Sequence, residues 1–281
     1  MDKGRTLAAL LVGFACCGPA AADVDGKAQL ASLGFMLADL APGDGIAPGL
    51  TFMPDPWAPH AGSVYMTYSE RLPGGADVVS YADLRTSQDS RPLALAYGWQ
   101  QAAIGAALAR RDDPLQQVLS IGTRMPVGAR TRIVTQDVDS DHLAFFVTPH
   151  TAVTFYATLA ATGSVDTGTQ IADGSNSFSA HGQLKLLIEQ PEGWWSSDLA
   201  DAELRADQYR PVLDDTAILL ASMANPADAA AMGTVEMSLA GSAVSVTPIP
   251  EPAPAALFGA GTALLAGLGA LRRRRLRATR G

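Results

Sequence analysis

Cysteine is almost missing from this chain. Its 281 residues hold two, Cys16 and Cys17, side by side in an apolar stretch near the N-terminus. The body beyond them forms no internal disulfide and offers no thiol nucleophile and no thiolate metal ligand. Histidine is nearly as scarce: His60, His142, His150 and His181 are all there are. None pairs in an H-E-x-x-H spacing, and although His142 and His150 flank one short apolar segment, a shared site needs ligands from elsewhere in the chain. The sequence has no G-x-S-x-G elbow, no Walker loop and no dinucleotide fingerprint. The paired acids Asp112/Asp113 and Asp214/Asp215 are adjacent, and in a strand adjacent side chains point to opposite faces. A carboxylate pair for sugar-bond cleavage must then come from two different strands. Nothing local in the sequence marks an enzyme.

Positive charge is also scarce in the body. The chain carries 20 Lys+Arg and 28 Asp+Glu. Lys3, Arg5 and Asp2 belong to the first 22 residues, and six arginines and Glu251 to the last 34, which leaves 12 basic and 26 acidic residues between Asp23 and Thr247. A formal charge of −14 excludes non-specific nucleic-acid binding, which needs a basic surface. It suits a solvated extracellular protein.

The ends of the chain are built differently from its middle. At the N-terminus Lys3 and Arg5 precede an apolar run, Leu7 to Cys17, and then Ala20-Ala21-Ala22 before Asp23. This is the pattern of a secretory signal with an A-x-A cleavage site at Ala20 and Ala22. Phe14-Ala15 ahead of Cys16 makes a poor lipobox, so a lipoprotein is not expected. At the other end Pro248-Ile249-Pro250-Glu251-Pro252-Ala253-Pro254 precedes an uncharged run from Ala255 to Leu271, closed by Arg272, Arg273, Arg274, Arg275 and Arg277. At ~1.5 Å rise per residue that run makes a helix about 25 Å long, short for a ~30 Å hydrocarbon core but adequate with snorkelling arginines. Its leucines and phenylalanine favour insertion by about 2 to 3.5 kcal/mol in all. The arginine cluster stays cytoplasmic, which places the body outside. A lipid-anchor signal of the GPI kind ends apolar, not in arginines.

Pro250-Glu251-Pro252, the short apolar segment and the terminal arginines, in that order, resemble the PEP-CTERM sorting signal of bacterial exported proteins. Ile249 stands where that family usually has Val. The resemblance covers about the last 34 residues. It implies recognition by exosortase, an integral-membrane cysteine transpeptidase, in a bacterium that makes extracellular polysaccharide, and a body whose last strand runs into the tripeptide. The alternative is an ordinary single-pass anchor that happens to follow prolines.

Between the two ends the pattern is that of strands. Ser63 to Ser69 alternates, with Val64, Met66 and Tyr68 on one side and Tyr65 and Thr67 on the other. Thr151 to Ala161 places Val153, Phe155, Ala157, Leu159 and Ala161 on one face and Thr154, Tyr156 and Thr158 on the other. Further strands are expected at 26–40, 50–53, 78–81, 93–99, 129–136, 143–148, 178–189, 218–223 and 234–246. Residues 41–49, rich in Pro and Gly, form a loop. The alanine-rich segment 100–110 reads equally as helix or strand, and 198–208 reads as a polar, partly helical stretch. The expected fold is mainly β: a single antiparallel β-sandwich or jelly-roll-like domain over residues 23–247, preceded by a signal peptide at 1–22 and followed by a sorting tail at 248–281 with a transmembrane helix at 255–271.

Two constellations in the body invite a ligand. Asp137, Asp139 and Asp141 have the spacing that opens a calcium loop, but His142 and Thr148 stand where such a loop needs Gly and Glu. The other reading of that segment is a solvated hairpin connection. Trp194-Trp195, next to Gly193 and Ser196, is the best placed of the tryptophans (Trp57, Trp99, Trp194, Trp195) to stack on sugar rings. The expected function is that of a non-enzymatic component of the cell envelope or polysaccharide matrix. Two alternatives stand behind it: a carbohydrate-binding module using exposed tryptophans, and an envelope hydrolase. Exposed indoles favour the first and buried ones the matrix role, while a carboxylate pair in a cleft is the mark of the second. The expected partners are the membrane, exosortase and extracellular polysaccharide.

Overall fold

The computed structural model describes residues 22–53, 62–71, 77–86, 93–99, 102–109, 114–126, 131–140, 142–167 and 176–246. The chain divides into two units, Met1–Thr247 and Pro248–Gly281. The apolar run 255–271, the sorting tripeptide, the arginine cluster and Ala20 of the cleavage site lie outside the described residues, whereas Ala22, the other cleavage-site residue, begins the first strand. Among the described residues no helix is long and apolar enough to cross a membrane.

The described chain is almost entirely antiparallel strand. In order the elements are β1 (Ala22–Asp39), β2 (Leu50–Phe52), β3 (Ser63–Arg71), β4 (Asp77–Thr86), β5 (Leu93–Trp99), β6 (Ala102–Ala109), a 3-10 turn at Pro114–Gln116, β7 (Val118–Pro126), β8 (Thr131–Asp139), β9 (Leu143–Val147), β10 (Thr151–Val165), β11 (Ser177–Glu189), β12 (Trp195–Ala206), β13 (Val212–Asn225) and β14 (Ala231–Ser245). They make two sheets. The first has the order β13-β10-β1-β7-β6-β5; the second runs β12-β11-β14-β8-β3-β4, with β9 beside β14 and β2 beside β9. The sheets stack face to face, β10 and β1 over β11 and β14, β7 over β8 and β14, β6 over β3 and β8. This is a β-sandwich, with one face of each sheet inward and one outward.

Alternation decides which face is which. In β10 Val153, Phe155, Ala157, Leu159 and Ala161 are buried, as their spacing predicts, and in β3 Val64, Met66 and Tyr68 are buried while Tyr65 and Thr67 point outward. Phe35, Phe52, Phe145 and Phe155 meet at one end of the core with ring centroids 5.3 to 6.4 Å apart. Such pairs add about 0.5–1.5 kcal/mol each beyond their buried area. A polar pin crosses the interior as well: the Gln136 amide donates to the Gly122 carbonyl at 3.0 Å, and Thr123 Oγ1 donates to Gln136 Oε1 at 3.0 Å.

Two strands switch faces midway through a bulge, which explains sequence that does not alternate. In β1 the register shifts between Ala31 and Gly34. Ser32 has φ 60°, and the inward set changes from Ala28 and Leu30 to Leu33, Phe35 and Leu37. The second switch corrects the hairpin expected around Asp137–Asp141. β8 and β9 do not fold back on each other. Both run antiparallel to β14 in line, with Asp139 opposite Ser238 and Leu143 opposite Val235. Three residues of one strand thus face two of the other, a bulge. Ser140 spans it: its N–H donates to the Met237 carbonyl and its Oγ accepts the Met237 N–H, both at 2.8 Å. The buried positions accordingly change from Val134, Gln136 and Val138 to Phe145 and Val147.

Two further expectations resolve as strand. The alanine-rich segment is β6, held between β5 and β7. The polar stretch 198–208 falls mostly in β12, paired along its length with β11. Ala, Leu, Glu and Arg favour a helix in isolation, but that preference is worth tenths of a kcal/mol per residue and yields to a full ladder and a half-buried face. Ala200, Ala202, Leu204 and Ala206 face in, while Leu199, Asp201, Glu203 and Arg205 face out. The strand β7 carried no sequence expectation at all. At the edge where β12 and β13 approach, Asp198 Oδ2 accepts the Ser222 N–H at 2.7 Å, so a carboxylate from one sheet caps the edge of the other.

Candidate ligand-binding face

The β11–β12 hairpin turns through Gln190-Pro191-Glu192-Gly193. Gly193 N–H donates to the Gln190 carbonyl at 2.9 Å, and Gln190 N–H to the Trp194 carbonyl at 2.8 Å. Gly193 has φ 81°, a left-handed conformation that suits Gly and closes the turn. The Gln190 amide donates to Ser196 Oγ at 2.7 Å and braces the same turn. The hairpin therefore presents two tryptophans from an ordered base. Trp194 is 55% exposed and Trp195 42%.

Beside it lies a cleft of about 480 Å³ whose lining includes Phe146, Glu189, Gln190, Asn225 and Met232. Asn225 is buried and fixes the facing wall: its amide donates to the carbonyls of Thr148 (3.1 Å) and Ala229 (2.9 Å), and its Oδ1 accepts the Ala227 N–H (3.2 Å). The ladders explain why these residues meet. Trp195 is opposite Glu189, Ile188 is opposite Gly233, Met232 is opposite Phe146, and Phe146 is opposite Thr51. Trp195 and Phe146, 44% exposed, thus stand on the outer face of the second sheet three strands apart, about 14 Å at ~4.8 Å per strand. Sequence reasoning missed Phe146. Its alternation in Leu143–Val147 reads outward only once the bulge has shifted the phase.

Further along the same face the surface becomes polar. A groove of about 260 Å³ is lined by Asp139, Ser140, His142, Gln183, Lys185 and Glu236, with Met237 and Ser238. Lys185 Nζ lies 3.8 Å from Glu236, and His142 Nδ1 contacts the other Glu236 oxygen. His181 Nε2 lies 3.2 Å from Asp201. Ser63 Oγ donates to Asp139 Oδ2 at 3.1 Å. Burial raises the Asp137 carboxyl above its ordinary value, and the neighbouring Asp139 charge adds to the rise.

Asp137 and Asp139 share the outer face of β8, and Asp141 lies outside the described residues. Among the described residues no cluster of three His, Cys, Asp or Glu side chains is arranged to hold a metal. Trp99 lies in β5 and Trp57 outside the described residues. His60 also lies outside them, and the other three histidines each contact different carboxylates. His150 meets Asp44 at 2.6 Å and Asp228 at 2.9 Å, while His142 meets Glu236 and His181 meets Asp201. Another concavity, about 540 Å³, is on the outer face of the first sheet. Among the described residues its lining is chiefly Ala, Gly, Ser and Thr with Lys27, Gln29, Leu95 and Ile121, and none of these is aromatic. The Trp195–Phe146 end is the better ligand candidate because a cleft lined by Phe146 and hydrogen-bonding groups lies beside two exposed indoles on the same hairpin. Comparison with protein-family models, with curated proteins and with solved structures gave no match.

Proposed function

We propose that this is an exported bacterial surface protein whose sandwich binds extracellular polysaccharide through the Trp194–Trp195 end. The observation that carries the binding reading is the pair of exposed indoles beside a cleft that also holds Phe146, Glu189 and Gln190. Flat rings stack on the apolar faces of sugars, and the amide and carboxylate accept or donate to hydroxyls. Binding is the proposed role, and the one carboxylate among the described residues lining that cleft, Glu189, is taken as a hydrogen-bond acceptor for sugar hydroxyls. Export and sorting rest on the sequence: the signal peptide at 1–22, then Pro250-Glu251-Pro252, a transmembrane helix at 255–271 and the arginine stop, read by exosortase. In this reading the protein holds polymer at the envelope, with its C-terminus cytoplasmic before processing.

The test is retention of the purified full chain, kept in detergent, on insoluble polysaccharides. Wild type should be retained on at least one glycan, and Trp195→Ala and Trp194→Ala should each lower retention at least tenfold without changing the β-sheet circular dichroism spectrum. Failure of wild type to bind any glycan leaves a purely structural matrix role and overturns the binding reading.

A further inference from the structure

The outer face of the second sheet is not uniformly polar. Four of its carboxylates stand in two walls. On one side Asp137 and Asp139 project from β8; on the other Asp201 and Glu203 project from β12. The ladders align them. Asp139 is opposite Ser238, Ser238 opposite Gln183, and Gln183 opposite Asp201. In the next row Asp137 is opposite Ala240, Ala240 opposite His181, and His181 opposite Glu203. Each row thus ends in a carboxylate at either side, with a floor of Ser238 and Gln183 in one and of Ala240 and His181 in the other. The walls are three strands apart, about 14 Å, and the floor runs parallel to β11 and β14. Followed along the strands, it passes Lys185 and Glu236, then Leu187 and Thr234, and reaches Trp195, Met232 and Phe146.

Sign decides what such a trough accepts. The outward side chains of β8, β11, β12 and β14 include six carboxylates, the four in the walls together with Glu189 and Glu236. Against them stand Lys185 and Arg205. Lys185 is 3.8 Å from Glu236 and Arg205 Nε is 3.3 Å from Asp207, so both cations already face an acid. Among the described residues no Lys or Arg pairs with Asp137 or Glu203. A polyanion laid here meets like charge on both sides, and a polycation meets opposite charge on both.

Resting on the polysaccharide reading above, we propose that the polymer this protein binds is a cationic, amino-sugar chain. It lies along the trough between the two carboxylate walls, with one end stacked at Trp195 and Phe146. The walls take its ammonium groups and the floor takes its hydroxyls through Gln183 and Ser238.

The experiment compares the detergent-purified full chain on four probes at pH 6: polyglucosamine with free amines, the same polymer fully N-acetylated, a polyuronate, and poly-lysine. The expected result is tightest binding to the free-amine polymer. Raising salt from 0.05 to 0.5 M should weaken it at least tenfold. The paired variant Asp137→Asn/Asp139→Asn should also weaken it about tenfold and narrow the preference over the N-acetylated form, while Trp195→Ala abolishes binding to both glycans. Equal or tighter binding to the polyuronate, or indifference to salt and to the Asn pair, overturns the cationic-polymer proposal and leaves the polysaccharide reading standing. Binding to poly-lysine as tight as to polyglucosamine and untouched by Trp195→Ala makes the trough a basic-peptide site and overturns the proposal. No binding to any glycan removes both readings.

Discussion

Gly26 of β1 lies under the ring of Phe178 from β11, so close that a Cβ added to it would stand 2.3 Å from the ring carbons. Gly163 of β10 is directly opposite Gly26 in the ladder, and a Cβ there would stand 2.6 Å from the Asp25 carbonyl oxygen. The two glycines make a socket for an aromatic side chain of the facing sheet. Gly26→Ala should destabilise the body by about 1–3 kcal/mol, as overpacking of a filled core does. Gly43→Ala, where nothing lies within 4 Å, is the control and should change stability little. Denaturant melts of both variants check this, and equal midpoints would show the socket to be loose.

Inside the sandwich, Glu70 is 1% exposed. It accepts a hydrogen bond from Tyr68 Oη at 2.5 Å and faces Arg132 Nε at 3.3 Å. Removing one partner of a buried pair leaves the other charge uncompensated, which costs about 3–5 kcal/mol. Glu70→Ala should therefore unfold at clearly lower denaturant than wild type. Glu70→Ala/Arg132→Met, which removes both charges, should recover a large part of the loss. The double-mutant cycle reads the coupling, and additive losses would show that the pair is not coupled.

His150 ties three segments together: its ring contacts Asp44 in the 41–49 loop and Asp228 in the β13–β14 turn, and its backbone N–H donates to Ala227. The hydrogen bond with Asp44 is the main cause raising the imidazole above its ordinary value of 6.5. The stabilisation from a raised His is complete below the unfolded value and is lost as pH rises through the folded one. Asp44 is lowered, first by the Ile46 N–H and then by His150, so its share is lost only in acid. The melting-temperature advantage of wild type over His150→Asn should then be largest near pH 5–6 and shrink above pH ~7. Asn tolerates the φ of 51° at this position, which leaves the charge as the variable. A difference constant from pH 5 to 9 would mean that the contact does not depend on the proton.

At the sorting end, Glu251→Ala should leave export intact and block removal of the tail. The mass of the mature chain reports this. A mutant with the same C-terminus as wild type would count against the exosortase reading.

The sequence was most legible where alternation was strict. Thr151 to Ala161 and Ser63 to Ser69 reveal strand, buried face and outer face unaided, because a half-buried antiparallel strand imposes a period of two. It was least legible in alanine-rich or charged segments. β6 and β12 consist of residues with weak helical preference, and long-range pairing outweighs them. β7, Val118–Pro126, carries Thr123 buried on its inward face, where it pins Gln136, so its apolar signal is diluted.

By itself the sequence determined the chemistry available: a thiol-free, acidic body, strands with one apolar face, two exposed-type aromatics beside a glycine turn, and terminal segments of a different composition. These are properties of composition and local period. Only the tertiary structure decided which distant residues share a surface. The bulge at Ser140 turns Phe146 outward toward Trp195, and the β8-β14-β11-β12 order sets Asp137 and Asp139 across from Asp201 and Glu203. Strand order and register depend on pairings across scores of residues, whose loop-closure cost is met only when the whole core forms.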